Sequence, residues 1–109
     1  MKRKITRKNI NYFYDNVLVC NEIQNLLSYE DARFYNCGVY GWNWDAYIFG
    51  NTAILIGDRN FTGYRVSYSL QKEYSDKARV IKNNNADYDT KKTQLRSLID
   101  EFIQKAIEE

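Results

Sequence analysis

A chain of 109 residues, 44% of them apolar, is long enough for one globular domain that folds without disulfides or metal ions. The absence of histidine excludes the commonest general base, the Ser-His and Cys-His nucleophile pairs and the commonest metal ligand. The formal net charge of +2 is unevenly distributed, because the basic N-terminal arm, residues 1–8, carries five positive charges and no negative one, namely Lys2, Arg3, Lys4, Arg7 and Lys8. Residues 9–109 carry eleven positive and fourteen negative charges, a net of −3.

The first predicted element is an N-terminal helix. Apolar residues between Thr6 and Leu27 fall three, four or seven positions apart along one helical stripe, at Ile10, Phe13, Tyr14, Val17, Cys20 and Leu27. This period predicts a helix that Thr6 or Asn9 caps, with Cys20 as a buried thiol. The basic N-terminal arm is interpreted either as a solvated helix start or as a contact for phosphates or an acidic protein surface.

The middle of the chain is typical of β-structure, with a shorter apolar period and recurring glycine. It predicts strands over Arg33–Val39, Trp44–Phe49 and Thr52–Ile56, and allows a short fourth strand over Tyr64–Tyr68. Gly50-Asn51 is a two-residue hairpin signal, and Gly41-Trp42-Asn43 predicts another turn. Short connections make the sheet an antiparallel meander, and the continuous apolar run of the third strand indicates a central position.

Two helices are predicted after the sheet. Leu70, Tyr74, Ala78 and Ile81 have helical spacing, Glu73 and Lys77 form a supporting pair, and Asn83-Asn84-Asn85 ends the helix. Asp87 or Asp89 caps a last amphipathic helix that reaches the C-terminus. The predicted fold is therefore a single α+β domain over 1–109. It comprises an N-terminal helix, an antiparallel three- to four-stranded meander, and one or two C-terminal helices packed on one sheet face, which leaves the other face open.

The sequence lacks the usual catalytic patterns. It has no phosphate-binding loop, no GxGxxG and no GxSxG, and two cysteines without histidine cannot form a structural zinc site. A catalytic carboxylate pair is not indicated either, because none of the candidate acidic residues is distinguished by its surroundings. These candidates are Asp45, Asp58, Glu30 and Asp31. The sequence therefore predicts a protein that is not an enzyme and has no catalytic residues, metal ions or cofactors.

The candidate contact residues come from a cluster of aromatic residues between Phe34 and Phe49 and from an Arg-bearing loop at 58–65. Because strand alternation divides the aromatics between two faces and the helices cover one, some rings are expected to face outward. The predicted partner-binding residues are Trp42, Trp44, Tyr47, Arg59, Asn60, Phe61, Tyr64 and Arg65, with phosphate contacts from the basic N-terminal arm. Alternatively, Trp42 folds back over the sheet edge and the second face is simply rich in tyrosine. An RNA-recognition signature matches only at Gly63 and Tyr64.

The sequence also bears on location and assembly. The basic start is not followed by the apolar segment of a signal peptide, and the apolar runs are far shorter than a membrane span, so a cytoplasmic protein without membrane association is expected. Ile103 or Ile107 could serve a dimer contact, although core packing is the other interpretation. Both a monomer and a homodimer are compatible with the sequence.

The chain has twelve Asn, ten Ile and ten Tyr, lacks His and Pro, and contains Tyr40-Gly41-Trp42-Asn43-Trp44-Asp45 followed by Gly57-Asp58-Arg59-Asn60. As a whole it resembles the small accessory proteins encoded by phages and mobile elements of low-GC Gram-positive bacteria, among them type II anti-CRISPR proteins. The resemblance implies a non-enzymatic inhibitor, in the cytoplasm of a bacterial host, that binds a host defence nuclease or its nucleic-acid complex.

The charge of the chain refines this expectation, and two alternative functions stand beside it. Inhibitors that mimic DNA are strongly acidic, so contact with guide RNA, with a nucleic-acid complex or with a hinge surface suits this chain better. A small nucleic-acid-binding protein is the first alternative, and a structural or regulatory dimer is the second.

Overall fold

The computed structural model describes residues 10–21, 23–30, 33–39, 42–57 and 63–109, and for 33–39 and 42–44 only the backbone. Its elements are a 3-10 turn at Ile10–Tyr12, β1 at Asn16–Cys20, α1 at Gln24–Leu27, β2 at Arg33–Val39, β3 at Trp42–Phe49, β4 at Thr52–Ile56, β5 at Tyr64–Arg65, α2 at Tyr68–Lys82 and α3 at Tyr88–Glu108. The chain forms two compact units: a sheet unit with the 3-10 turn and β1–β5, and a helical unit with α1–α3.

The sheet unit contains a mixed five-stranded sheet in the order β2-β3-β4-β1-β5. The predicted antiparallel meander is confirmed for β2, β3 and β4, and Gly50 adopts the left-handed conformation, with a φ of 60°, in the tight turn between β3 and β4. In contrast, β1 pairs parallel with β4, and β5 pairs parallel with β1. The arrangement is therefore α+β, but its sheet is not a simple meander.

The predicted N-terminal helix is wrong for the described residues 10–27. In its place are the 3-10 turn, β1 and the four-residue α1. Val17, Leu18, Val19 and Cys20 form a continuous apolar run, and all four are buried. Such a run fills a helical stripe and a central strand equally well, so periodicity alone does not distinguish them. In the structure these residues pair with β4 in parallel and therefore form a strand and not a helix.

One agreement and two smaller differences concern the strands. β4 is central, as predicted, and all five of its residues are buried. Trp42 and Asn43 were predicted in a turn but are the first residues of β3, while Tyr40 and Gly41 lie outside the described residues. The fourth strand exists, but it is only Tyr64–Arg65 and it is parallel to its neighbour.

Buried side chains lie on both faces of the central strands of the sheet. One face carries a cluster of Ile10, Val17, Val19, Ala46, Ala53 and Leu55, against which Tyr14 and Ile48 pack. On the other face, Leu18, Cys20, Ile54 and Ile56 are also buried. The expectation of one open sheet face is therefore wrong at β1 and β4. Their unbroken apolar runs would expose hydrophobic side chains on whichever face was left open.

The two long helices of the helical unit, α2 and α3, agree closely with the predicted elements. The Ser67 hydroxyl accepts the Leu70 amide proton at the start of α2 (3.3 Å), and the Asp87 carboxylate accepts that of Thr90 at the start of α3 (2.8 Å). The predicted Glu73–Lys77 ion pair is present at 3.2 Å. Within the described part of the chain, no helix is long and apolar enough to cross a membrane.

Candidate functional site

The candidate site is β5, the last strand of the sheet, which carries two of the predicted contact residues, Tyr64 and Arg65. Gly63 explains why this strand can lie so close to β1. A Cβ atom at position 63 would be 2.7 Å from the carbonyl oxygen of Val17, 2.9 Å from Val17 Cγ1 and 3.0 Å from Val19 Cγ2. Only glycine fits at these distances without movement of β1 or β5. Backbone packing therefore holds this short edge strand in place.

Tyr64 and Arg65 are both exposed, Tyr64 to 47%, but they lie on opposite faces of the sheet. Tyr64 is level with Leu18 of β1, and Arg65 is level with Val19. Arg65 is thus on the face of the apolar cluster, whereas Tyr64 is on the face of Leu18 and Ile54. The edge offers an aromatic group on one side and a cationic group on the other, rather than one combined patch.

Tyr47 shares its face with Tyr64. The registers place Tyr47 level with Ile54, Ile54 level with Leu18, and Leu18 level with Tyr64. The two tyrosines therefore end one row across four strands, about 14 Å apart at the usual strand spacing. Tyr47 is half-buried and its neighbours in the row are buried, so the exposed part of this row is Tyr64.

The remaining predicted contact residues contribute less to the described geometry. The backbone of Trp42 and Trp44 belongs to β3. Arg59, Asn60 and Phe61 lie outside the described residues, as do Lys2, Arg3, Lys4, Arg7 and Lys8. The structure thus brings Tyr47 and Tyr64 onto one face and separates Arg65 from them.

Sequence periodicity missed an exposed aromatic pair in the sheet unit. Tyr12 is 82% exposed and Phe13 43% exposed, on and just after the 3-10 turn. Ile10, fully buried in the core cluster, fixes the start of the turn, and the Phe13 amide donates a hydrogen bond to the Ile10 carbonyl at 3.1 Å. The predicted helix assigned Phe13 to its apolar stripe. A strand at β1 removes the helical stripe and with it the reason to expect Phe13 to be buried.

Gln71 is a second residue whose role the sequence pattern does not indicate. It lies in the helical unit, is 3% exposed, and uses both ends of its amide. Its Oε1 accepts the Asn21 amide proton at 2.7 Å, and its Nε2 donates to the Val66 carbonyl at 2.8 Å. Gln71 therefore bridges the residue that follows β1 and the residue that follows β5. Its spacing of three and seven from Tyr74 and Ala78 was the available signal.

Tyr74 is the buried titratable group of the helical unit. Its hydroxyl donates to Glu101 Oε1 at 2.8 Å, its ring meets Phe102 edge-on at 5.5 Å, and Lys77 Nζ lies 4.6 Å from the ring centre. Burial, and next the hydrogen bond to Glu101, raise the pKa of Tyr74 to about 12. The hydroxyl is therefore a hydrogen-bond donor at neutral pH and stabilises the packing of α2 on α3.

Among the described residues, no group of three or more Cys, Asp or Glu side chains is arranged to hold a metal ion. No family model, no curated protein and no solved structure matches the chain.

Proposed function

We propose that the protein is a non-catalytic binding protein of a phage or mobile element that inhibits a host defence nuclease by occupying part of its surface. Tyr64 and Arg65, exposed on an edge strand that Gly63 fixes against β1, carry the proposal. Tyrosine and arginine dominate the energetics of protein interfaces. Residues that a rigid element presents lose little conformational entropy on binding.

The partner is the nuclease or its complex with nucleic acid. The resemblance to type II anti-CRISPR proteins supports this class of partner, and the net charge of −3 over residues 9–109 favours a route other than DNA mimicry. Tyr64 and Arg65 lie on opposite faces of the sheet. A partner that contacts the sheet edge on both faces would therefore use both side chains.

Inhibition of DNA cleavage tests the proposal directly. The full chain is titrated into a purified type II CRISPR nuclease loaded with guide RNA, and target cleavage and binding affinity are measured. The wild-type protein should inhibit cleavage, and Tyr64→Ala and Arg65→Ala should each weaken binding about tenfold or more, as for central interface residues. Trp42→Ala and Arg59→Ala test two further predicted contacts in the same assay.

Tyr68→Ala is the matched control, because Tyr68 is 61% exposed and lies at the start of α2. It should inhibit like the wild type. Loss of inhibition in Tyr68→Ala but not in Tyr64→Ala or Arg65→Ala would move the contact away from β5. A wild-type protein that binds neither the free nuclease nor the loaded complex would refute the proposed function.

A further inference from the structure

Tyr12 and Phe13 are two neighbouring aromatic side chains that the core does not use. The residues on either side of them are held: Ile10 is fully buried in the core cluster of the sheet unit, and Tyr14 packs against that cluster. Tyr12 is the most exposed large hydrophobic side chain among the described residues, at 82%. Two rings are thus presented to solvent by a turn that is fixed at both ends.

The sequence around this pair is strongly cationic. Five Lys and Arg residues precede it within positions 2–8, and Asp15 is the only acidic residue in the first twenty positions. The net charge of these twenty positions is therefore +4, five positive charges less one negative charge. Asn11, which is exposed, adds an amide next to Tyr12.

We infer that Tyr12 and Phe13 form a stacking contact for single-stranded nucleic acid, a polyanion that suits the net positive charge of the first twenty positions. Unpaired bases stack on exposed aromatic rings, while Lys and Arg neutralise the backbone. Tyr12, with most of its ring surface open to solvent, can accept a base, and the fixed turn limits the entropy lost on binding. This contact is separate from β5 and does not depend on the proposed inhibition of a nuclease.

Single strands fit the pair better than the other anionic partners. In a duplex the bases are already stacked on each other and are not available to the rings. For an anionic membrane, Phe13 is the one purely apolar ring of the pair and is only 43% exposed, which gives little area to bury in lipid. An acidic protein would use the charges but would not require a stacking surface.

The test is fluorescence anisotropy of the full chain with a labelled oligothymidine of about a dozen nucleotides. Tyr12→Ala and Phe13→Ala should each weaken binding between about fivefold and a hundredfold, the range for one lost base stack. Tyr12→Phe keeps the ring and should bind within about twofold of the wild type. The affinity should fall as salt rises, because cations that neutralise the phosphates release condensed counterions.

Two control variants show whether binding is specific to this aromatic pair. Tyr68→Ala removes an exposed ring from α2, and Tyr64→Ala removes the predicted protein contact on β5. Both should bind the oligonucleotide like the wild type. A duplex of the same length should bind more weakly than the single strand.

Several results would overturn the inference. One is binding by Tyr12→Ala and Phe13→Ala that equals the wild type, which would reduce the interaction to charge alone. Others are equal affinity for duplex and single strand, or binding to phosphatidylserine vesicles that depends on Tyr12 while the oligonucleotide is not bound.

Discussion

Gly63 is where one added methyl group should have the largest effect on the edge of the sheet. Gly63→Ala would place Cβ 2.7 Å from the Val17 carbonyl oxygen, and a backbone oxygen in a paired strand cannot move aside without separating β5 from β1. We expect a loss of about 1–3 kcal/mol in the free energy of unfolding, as for overpacking elsewhere. Urea denaturation measures this loss.

Gly50 provides the control for the Gly63 prediction. It has a φ of +60° and nothing within 4 Å of an added Cβ, so only conformation restricts it. Asn tolerates the left-handed region, and Gly50→Asn should therefore cost less than about 1 kcal/mol. Equal costs for Gly63→Ala and Gly50→Asn would show that steric contact with Val17 is not what requires glycine at position 63.

Tyr74 gives a prediction that depends on pH. Tyr74→Phe keeps the ring against Phe102 and beneath Lys77 but removes the hydroxyl that donates to Glu101, which should cost about 1 kcal/mol at neutral pH. The pKa of Tyr74 is raised from 10.0 to about 12 in the folded protein. The stabilisation by the hydroxyl is therefore complete below pH 10 and is lost as pH rises towards 12.

Denaturation of the wild type and Tyr74→Phe at a series of pH values measures this difference. The gap in unfolding free energy should be constant up to pH 10 and shrink above it. Tyr68→Phe removes a hydroxyl from an exposed ring and should leave the stability at neutral pH unchanged. A gap between wild type and Tyr74→Phe that grows above pH 10 would contradict the assigned role of the hydrogen bond.

At the scale of elements, Gln71 of α2 connects Asn21 and Val66 within the helical unit. Gln71→Ala leaves the Asn21 amide and the buried Val66 carbonyl without their partner, which should cost about 1–3 kcal/mol. Gln71→Met fills a similar volume without polar atoms and should cost a similar amount, because the lost hydrogen bonds dominate. Hydrogen exchange of the Asn21 amide should accelerate in both variants.

Lys72 is the neighbouring control on α2. It is exposed and forms an i,i+4 ion pair with Asp76 at 3.0 Å, so Lys72→Ala should change stability by less than about 0.5 kcal/mol. If Gln71→Met were as stable as the wild type, the amide bridge would contribute nothing and the Gln71 side chain would act only by its volume.

The elements differ in how well local sequence specifies them. α2 and α3 have capping residues, a helical apolar stripe and a clear stop at Asn83, so their assignment needs no tertiary information. β2 and β4 were predicted with the bounds that the structure has. β1 was not, because residues Val17–Cys20 satisfy both periods, and its place between β4 and β5 depends on residues that are far away in the sequence.

The candidate site, too, is specified only in part by the local sequence. The alternation around Tyr64 and Arg65 predicts a short strand, and it also predicts that the two side chains point to opposite faces. The sequence does not indicate that this strand lies at the sheet edge next to β1, nor that Gly63 is pressed against Val17. The helical period predicts that Phe13 is buried. In the structure the following segment forms β1 instead of a helix, and both Tyr12 and Phe13 are exposed.

In the whole molecule, the two compact units are interleaved along the chain. The helical unit takes α1 from the segment between β1 and β2, and the remainder from the chain after β5. Within it, α1 and the residues after it contact the long helices through a hydrogen bond from Asn25 to Ser75, the Tyr29–Tyr88 ring pair and the Glu30–Arg96 ion pair. A segment predicted as part of one N-terminal helix thus belongs to two different units.

The α+β class, the hairpin at Gly50-Asn51, the two long helices and the strand character of the middle of the chain follow from the sequence alone, as does a cap of α3 at Asp87 or Asp89. These features depend on local periodicity and on residues with strong conformational preferences. The tertiary structure decided that residues 16–20 form a strand, that the sheet is mixed, that both faces of β1 and β4 are buried, and that Tyr12, Phe13 and Tyr64 remain exposed. The physical reason is that an apolar run fits either element until long-range strand pairing satisfies its backbone and selects which side chains are buried.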